Sequence, residues 1–267
     1  MLRRVKEAGL QIRLPSLKRI PTHSMPHGNR PKKTPPTTLE SAAHDLRAIL
    51  RPDGAQPQSS LAARTTDEAR ALWQWAQTRG LILDPARWLA PARRGGAEHL
   101  VWRDDTVGRV IKLTLPGECG WTVDSDEYYD EAWDEYVPRP LTRIATALEY
   151  LDRLLLANEL FGDDIALIGV LDAGKGMQIV TSQPTICGEP PEPNEIAAYM
   201  VALGFAMLPP VVVRNSGALS FLREQDGIAA FDCHAGNFFL SSGQILPIDV
   251  ILVRADERLQ NALAATH

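Results

Sequence analysis

The sequence predicts an α+β chain in two lobes: an antiparallel β-sheet N-lobe, then a crossing, then a short, reduced C-lobe. Three observations carry this. Two β-hairpin patterns, at residues 97–114 and 165–183, flank the strongest helical pattern of the chain, at 142–160. The step Gln183-Pro-Thr185 ends the second hairpin where a two-lobed protein would cross between lobes. Beyond it lies a loop dense in polar residues, Phe231-Asp-Cys-His-Ala-Gly-Asn237, followed by Pro247-Ile-Asp249-Val.

Length and composition bound the reading. With 267 residues, the chain can bury a sizeable core as one large domain or two lobes. The formal net charge is −5, but it is unevenly spread. Residues 1–38 hold nine Lys or Arg and one Glu, which leaves 19 basic against 32 acidic residues in the remainder. An acidic body argues against general nucleic-acid binding by the globular part. Cys119, Cys187 and Cys233 are odd in number and widely spaced, so they form neither a disulfide framework nor a zinc pattern, which fits a reducing, cytoplasmic setting. No apolar run is long enough for a bilayer and no signal-peptide core is present, so no membrane partner is expected.

The elements follow in order. Residues 1–60 read as a basic, Pro-rich, mostly disordered arm, with a short helix at 41–50. A helical lead-in, 61–94, contains a helix opening at Thr66-Asp67-Glu68 and closed by Gly80, with a short strand at 81–83. Residues 95–183 form the N-lobe: Gly95-Gly96, a strand, a turn, then the strand Arg109-Val-Ile-Lys-Leu-Thr114. An acidic, aromatic insertion at 117–140 reads as a solvated, partly helical flap; the seven carboxylates from Asp124 to Glu135 lack calcium-loop spacing. The long helix and the second hairpin complete the lobe. The C-lobe, 184–267, opens with a helix from Asn194-Glu195 and has a turn at Glu224-Gln-Asp-Gly227 before the polar loop.

That loop suggests phosphoryl transfer. Asp232 sits five positions before Asn237, and Asp249 comes 12 positions after that, bracketed by Ile248 and Val250 on what reads as a buried strand. One carboxylate can orient an attacking hydroxyl and take its proton; an amide and a second carboxylate can hold Mg²⁺ on ATP phosphates. An unpaired charge on a buried strand is costly, so a metal partner for Asp249 is expected. Lys112 lies on a strand 16 residues after the glycine pair, where an ammonium can reach phosphates approached by the Gly95 and Gly96 backbone. A helix carboxylate could hold Lys112; Glu149 is the choice, with Asp152 and Glu159 as competitors. Gln183 and Thr185, at the crossing, are assigned to the nucleotide. His234 beside Cys233 lacks the further ligands of a metal site. The bland alternative is a hairpin with a solvated loop and an edge-strand lysine.

These residues resemble a protein-kinase-like fold. Asp232-Cys-His234-Ala-Gly236-Asn237 is similar to the Asp-x-His-x-Gly-Asn loop of aminoglycoside, choline and bacterial atypical kinases. Gly96-Ala-Glu-His99, the strand through Lys112 to Gly117, Phe161-Gly-Asp-Asp-Ile165 and Thr181-Ser-Gln-Pro184 resemble the kinase-like domain of polyvalent proteins, large multidomain proteins of phages and conjugative elements. The resemblance covers about residues 90–255. It implies Asp232 as catalytic base, Asn237 and Asp249 as Mg²⁺ ligands, Lys112 on the α/β phosphates, and His234 near the γ-phosphate. Ala230-Phe231 replaces the usual His-Arg, and Asp249 lacks the usual following Phe-Gly. Only 18 residues follow Asp249, too few for a peptide-binding platform. Either the acceptor is a small molecule, or a partner chain completes the C-lobe for a protein acceptor, or the chain is a pseudokinase that binds nucleotide or a partner without catalysis. An unrelated α+β interaction domain would require Lys112, Asp232, Asn237 and Asp249 all to coincide by chance.

Overall fold

In the computed structural model, the described residues are 37–50, 60–131, 134–213 and 215–265. The reading of residues 1–36 as a disordered arm lies outside them. From Thr37 onward the described residues form one compact unit. Helices α1 (Thr38–Leu50), α2 (Leu61–Thr78) and α3 (Pro85–Leu89) come first. Strands β1 (Arg93–Arg94), β2 (His99–Asp104), β3 (Arg109–Thr114), β4 (Trp121–Asp130) and β5 (Glu135–Ile144) lead into α4 (Ala147–Phe161). Then follow β6 (Ala166–Asp172), β7 (Met177–Pro184), α5 (Pro193–Ala202), β8 (Ala206–Leu208), β9 (Leu219–Arg223) and β10 (Ile228–Cys233). The chain closes with β11 (Phe238–Ser241), β12 (Gln244–Pro247), β13 (Ile251–Arg254) and α6 (Glu257–Ala264).

All pairings within the sheets are antiparallel. One sheet has the order β1-β2-β3-β7-β6 and another β13-β10-β9-β8, with two-stranded ribbons β4-β5 and β11-β12. The two hairpins read from the sequence join through β3 and β7, whose register sets Lys112 opposite Thr181. The expected strand at 81–83 is a single parallel bridge, Ile82 to Val170. It requires Gly169, where a Cβ would meet the Leu81 carbonyl oxygen at 2.3 Å.

Several expectations are corrected. The sequence extends the arm to residue 60, but α1 belongs to the core: Leu39, Ala42, Ala43 and Leu46 are fully buried. Helix α2 starts five residues before Thr66, because the Ser60 side chain caps it by accepting from the Ala63 N–H. The 117–140 flap is a β-ribbon rather than partly helical. Pro138 and Pro140 remove the donors a helix interior needs, and cross-strand pairs such as Asp126–Arg139 and Tyr129–Tyr136 suit a ladder. The same ribbon runs through Ile144, so α4 begins at Ala147, capped by Thr146. Asp249 is not on a strand but in the bend between β12 and β13.

The main core gathers α1, α2 and α4 against β6, β7 and the second sheet, with Leu39, Leu72, Tyr150, Leu151, Phe221 and Phe238 buried in it. Helix α4 is central to this core. No described helix is long and apolar enough to cross a membrane.

Candidate active site

The Asp232 loop is built by a strand that breaks its own register. β10 pairs regularly with β9 up to Ala230, then bulges before Cys233. At the bulge Asp232 takes a left-handed backbone, φ 57°. Such a conformation is costly for a non-glycine residue and is tolerated best by Asn and Asp. Its Oδ2 and backbone carbonyl accept from Asn237 Nδ2 at 3.1 and 2.9 Å. Its Oδ1 is buried without a hydrogen-bond partner, with His234 Nε2 3.6 Å away. His234 is in turn oriented by the Gly236 N–H, which donates to its Nδ1. Cys233 points the other way, into the core, where burial raises its thiol pKa, so it offers no ligand beside His234.

A backbone bond joins this loop to the next: the Ile248 N–H donates to the Asn237 carbonyl at 2.9 Å. Asp249 follows directly. Lys112 donates to the Ile248 carbonyl at 2.8 Å and lies 3.4 Å from Asp249 Oδ1. Arg153 of α4, with a side chain 5 % exposed, donates to the Asp249 carbonyl and Oδ1, both at 3.1 Å, and to the Val250 carbonyl at 3.2 Å. Burial alone would raise the Asp249 pKa; Lys112, His99 and Arg153 outweigh it and hold the carboxyl well below its ordinary range. His99 Nδ1 faces Asp249 Oδ2 at 3.6 Å, while its Nε2 lies 3.0 Å from the Tyr150 hydroxyl.

A cavity of about 650 Å³ runs over these groups. Gly95, Gly96, Lys112, Gln183 and Thr185 line it together with Asp232, His234, Asn237 and Asp249. The glycine turn is tight: Gly96 has φ 95°, and a Cβ on Gly95 would stand 2.4 Å from Val101 Cγ2. Arg94 ties off the Gly96 and Ala97 carbonyls. Gln183 lies opposite Val110, and the Thr185 N–H donates to the Gly108 carbonyl, which fixes the crossing segment against β3.

Glu149 is the exception. It is not the partner of Lys112. It is the fourth member of a capping box, Thr146-x-x-Glu149, whose carboxylate bends back to the Thr146 N–H at 2.9 Å. It also accepts from Arg143 at 2.8 Å through each oxygen and from Arg64 at 2.7 Å, and it lines a separate cavity of about 620 Å³. Asp152 pairs with Arg47 and Glu159 with Arg254, so neither competitor takes the role. The helix residue that does reach the site is Arg153. The sequence signal was available: Arg153 falls three residues after Tyr150 and four before Ala157, on the buried stripe of α4. Glu98 and His99 were also missed, as was Asp163. The last lines a small recess with Lys112 and Asp249, where burial, partly offset by Lys112, pushes its carboxyl up to about 7.

Glu149 carries a pH prediction. Burial would raise its carboxyl, but hydrogen bonds from Arg143 and the Thr146 N–H hold it down at about 2, against 4.5 ordinarily. Its folded pKa lies below the unfolded one, so its contribution is complete above about pH 4.5 and lost as pH falls towards 2. Glu149→Gln is therefore expected to flatten the acid limb of stability between pH 4.5 and 2.5. Urea midpoints across that range check it. A variant whose midpoint falls as steeply as the parent's would remove this carboxylate as the source.

A strand lysine, an Asp-x-x-x-x-Asn loop and a second aspartate around one cleft, in a mixed α+β fold of antiparallel sheets, define a kinase-like domain. The family model described as serine/threonine/tyrosine kinase found in polyvalent proteins matches residues 65–255, and the chain belongs to that family. No curated protein and no solved structure matches it.

Proposed function

We propose that the chain transfers the γ-phosphoryl group of Mg²⁺-bound ATP to a hydroxyl of a protein or small molecule. The observation that carries this is Asp232. Its backbone is strained, one of its carboxylate oxygens is buried and unpaired, and the residue lines the same cavity as Lys112 and Asp249. An acceptor oxygen placed there forms a bond to the γ-phosphorus as the bond to the β-phosphate oxygen breaks. The hydroxyl proton passes to Asp232, and ADP leaves with the electron pair. In this reading the five-stranded sheet is the N-lobe and the part after Thr185 a reduced C-lobe.

Lys112 holds the α/β phosphates, the Gly95–Gly96 backbone approaches them, and Gln183 and Thr185 face the base. The Asn237 amide nitrogen is committed to Asp232, so its side-chain carbonyl is the atom offered to a cation. With the Asp249 carboxylate this is a hard-oxygen donor set of the kind Mg²⁺ takes. When bound, Mg²⁺ neutralises charge on the β- and γ-phosphate oxygens.

A second reading, a pseudokinase that binds nucleotide or a partner chain without catalysis, has one observation in its favour. Asp249 is already satisfied by Lys112, Arg153 and His99.

The test is the unfolding midpoint with ATP and Mg²⁺. A ligand at about a hundred times its Kd stabilises by about 2.7 kcal/mol, roughly 5–10 °C at this chain length. The rise is expected to depend on Mg²⁺ and to vanish in Asp249→Asn. No rise with any nucleotide would overturn the ATP reading and leave the partner-binding one.

A further inference from the structure

In this chain α4 does not send a carboxylate to the strand lysine. It sends a guanidinium to the bend that carries Asp249. Arg153 reaches three separate segments at once. Its Nη1 donates to Glu98 Oε2 at 2.7 Å, two residues beyond the Gly95–Gly96 turn, and approaches the Trp121 carbonyl at 3.5 Å. Its Nη2 takes the carbonyl and Oδ1 of Asp249, and its Nε takes the Val250 carbonyl. Two consecutive backbone carbonyls and one side-chain oxygen of the bend are therefore fixed by one side chain.

We infer that Arg153 is a positioning residue that sets the direction of the Asp249 carboxylate and ties it to the glycine turn through Glu98. Binding of nucleotide at the turn and of a divalent cation at Asp249 are thereby coupled. The inference rests on the functional reading above.

The physical case has three parts. First, the planar fork of Arg can satisfy carboxylate and carbonyl acceptors on several sides together, which the point charge of a lysine cannot. Second, Arg153 cannot relax away. Its side chain is 5 % exposed and that of Glu98 10 %, so a displaced partner would leave a buried charge without compensation. Third, Asp249 Oδ1 also faces Lys112 at 3.4 Å. Without Arg153 the carboxylate is free to turn further onto the lysine and away from a cation. Shifting the glycine turn moves Glu98, and Glu98 acts on Asp249 through Arg153. Glu98, His99 and Asp249 also offer three ligand atoms within 4.8 Å of one another. With two cationic side chains already on those carboxylates, this cluster is better explained as an ion-pair junction than as a second metal site.

The measurement is the coupling ratio: the Kd for ATP without divalent cation divided by that with saturating Mg²⁺, with Mn²⁺ as a repeat. It is taken on the parent, Arg153→Lys and Glu98→Gln. Arg153→Lys keeps the positive charge and hence the fold, but not the fork. Glu98→Gln cuts the link from the other side. Coupling between two sites typically runs from 5- to 150-fold. In both variants the ratio is expected to fall about tenfold, while the metal-free Kd stays within about twofold of the parent. A purely structural role would weaken metal-free binding as much as metal-dependent binding. Variants that keep the parent's ratio, or lose metal-free and metal-dependent affinity in parallel, overturn the positioning role and leave the functional reading standing. A parent that binds no nucleotide under any condition overturns both.

Discussion

Asp232→Asn is expected to lower phosphoryl transfer by about 10²–10⁴-fold, the usual worth of a positioned general base, while leaving nucleotide affinity and the unfolding midpoint close to the parent's. The substitution is chosen for the backbone. Asp232 has φ 57°, and asparagine tolerates that region as well as aspartate does. An amide oxygen can still accept from Asn237 Nδ2, so the loop keeps its internal bond. What is lost is the proton-accepting oxygen that is buried and unpaired. Basal hydrolysis of ATP, with water as acceptor, provides the assay without knowledge of the natural acceptor. Turnover at the parent's rate would take Asp232 out of the reaction. Loss of nucleotide binding along with turnover would instead show that the loop had been damaged.

Arg153→Met is expected to cost about 3–5 kcal/mol of folding stability, the range for removing one partner of a buried ion pair. The apolar replacement fills much of the same volume, so the loss comes from charge rather than from a cavity. It leaves the Glu98 carboxylate without the Arg153 guanidinium and three backbone carbonyls, those of Trp121, Asp249 and Val250, without this donor. Asp249 is less affected, because Lys112 and His99 remain beside it. Urea unfolding with an unchanged m-value gives the measurement. Adding Glu98→Gln to Arg153→Met should restore part of the loss, since the orphaned charge is then gone. A single variant within about 1 kcal/mol of the parent would mean that water or a rotamer change compensates, and that the junction is weaker than its geometry suggests.

The two variants probe different layers of one site, and the sequence was not equally open about them. The candidate catalytic loop was legible because its pattern is local. Asp232 and Asn237 are five residues apart, and the turn between β11 and β12 returns the chain to Asp249. Strand alternation fixed the side of the sheet from which Lys112 projects, and the hairpins were marked by their turns. Composition misleads at the ribbon β4–β5, where abundant acids suggest a solvated flap while Pro138 and Pro140 exclude a helix over the second strand.

Glu149 shows the limit from the other side. Its Thr-x-x-Glu spacing is a capping box, a local signal that outweighed a long-range guess about Lys112. Local spacing alone established the hairpins, the long helix, the loop and the order of the polar residues along the chain. Which face of α4 meets the Asp249 bend, and so that an arginine rather than a carboxylate reaches it, was decided by packing. The rotation of a helix is set by the apolar contacts it makes with elements up to a hundred residues away, and those contacts exist only once the chain has folded.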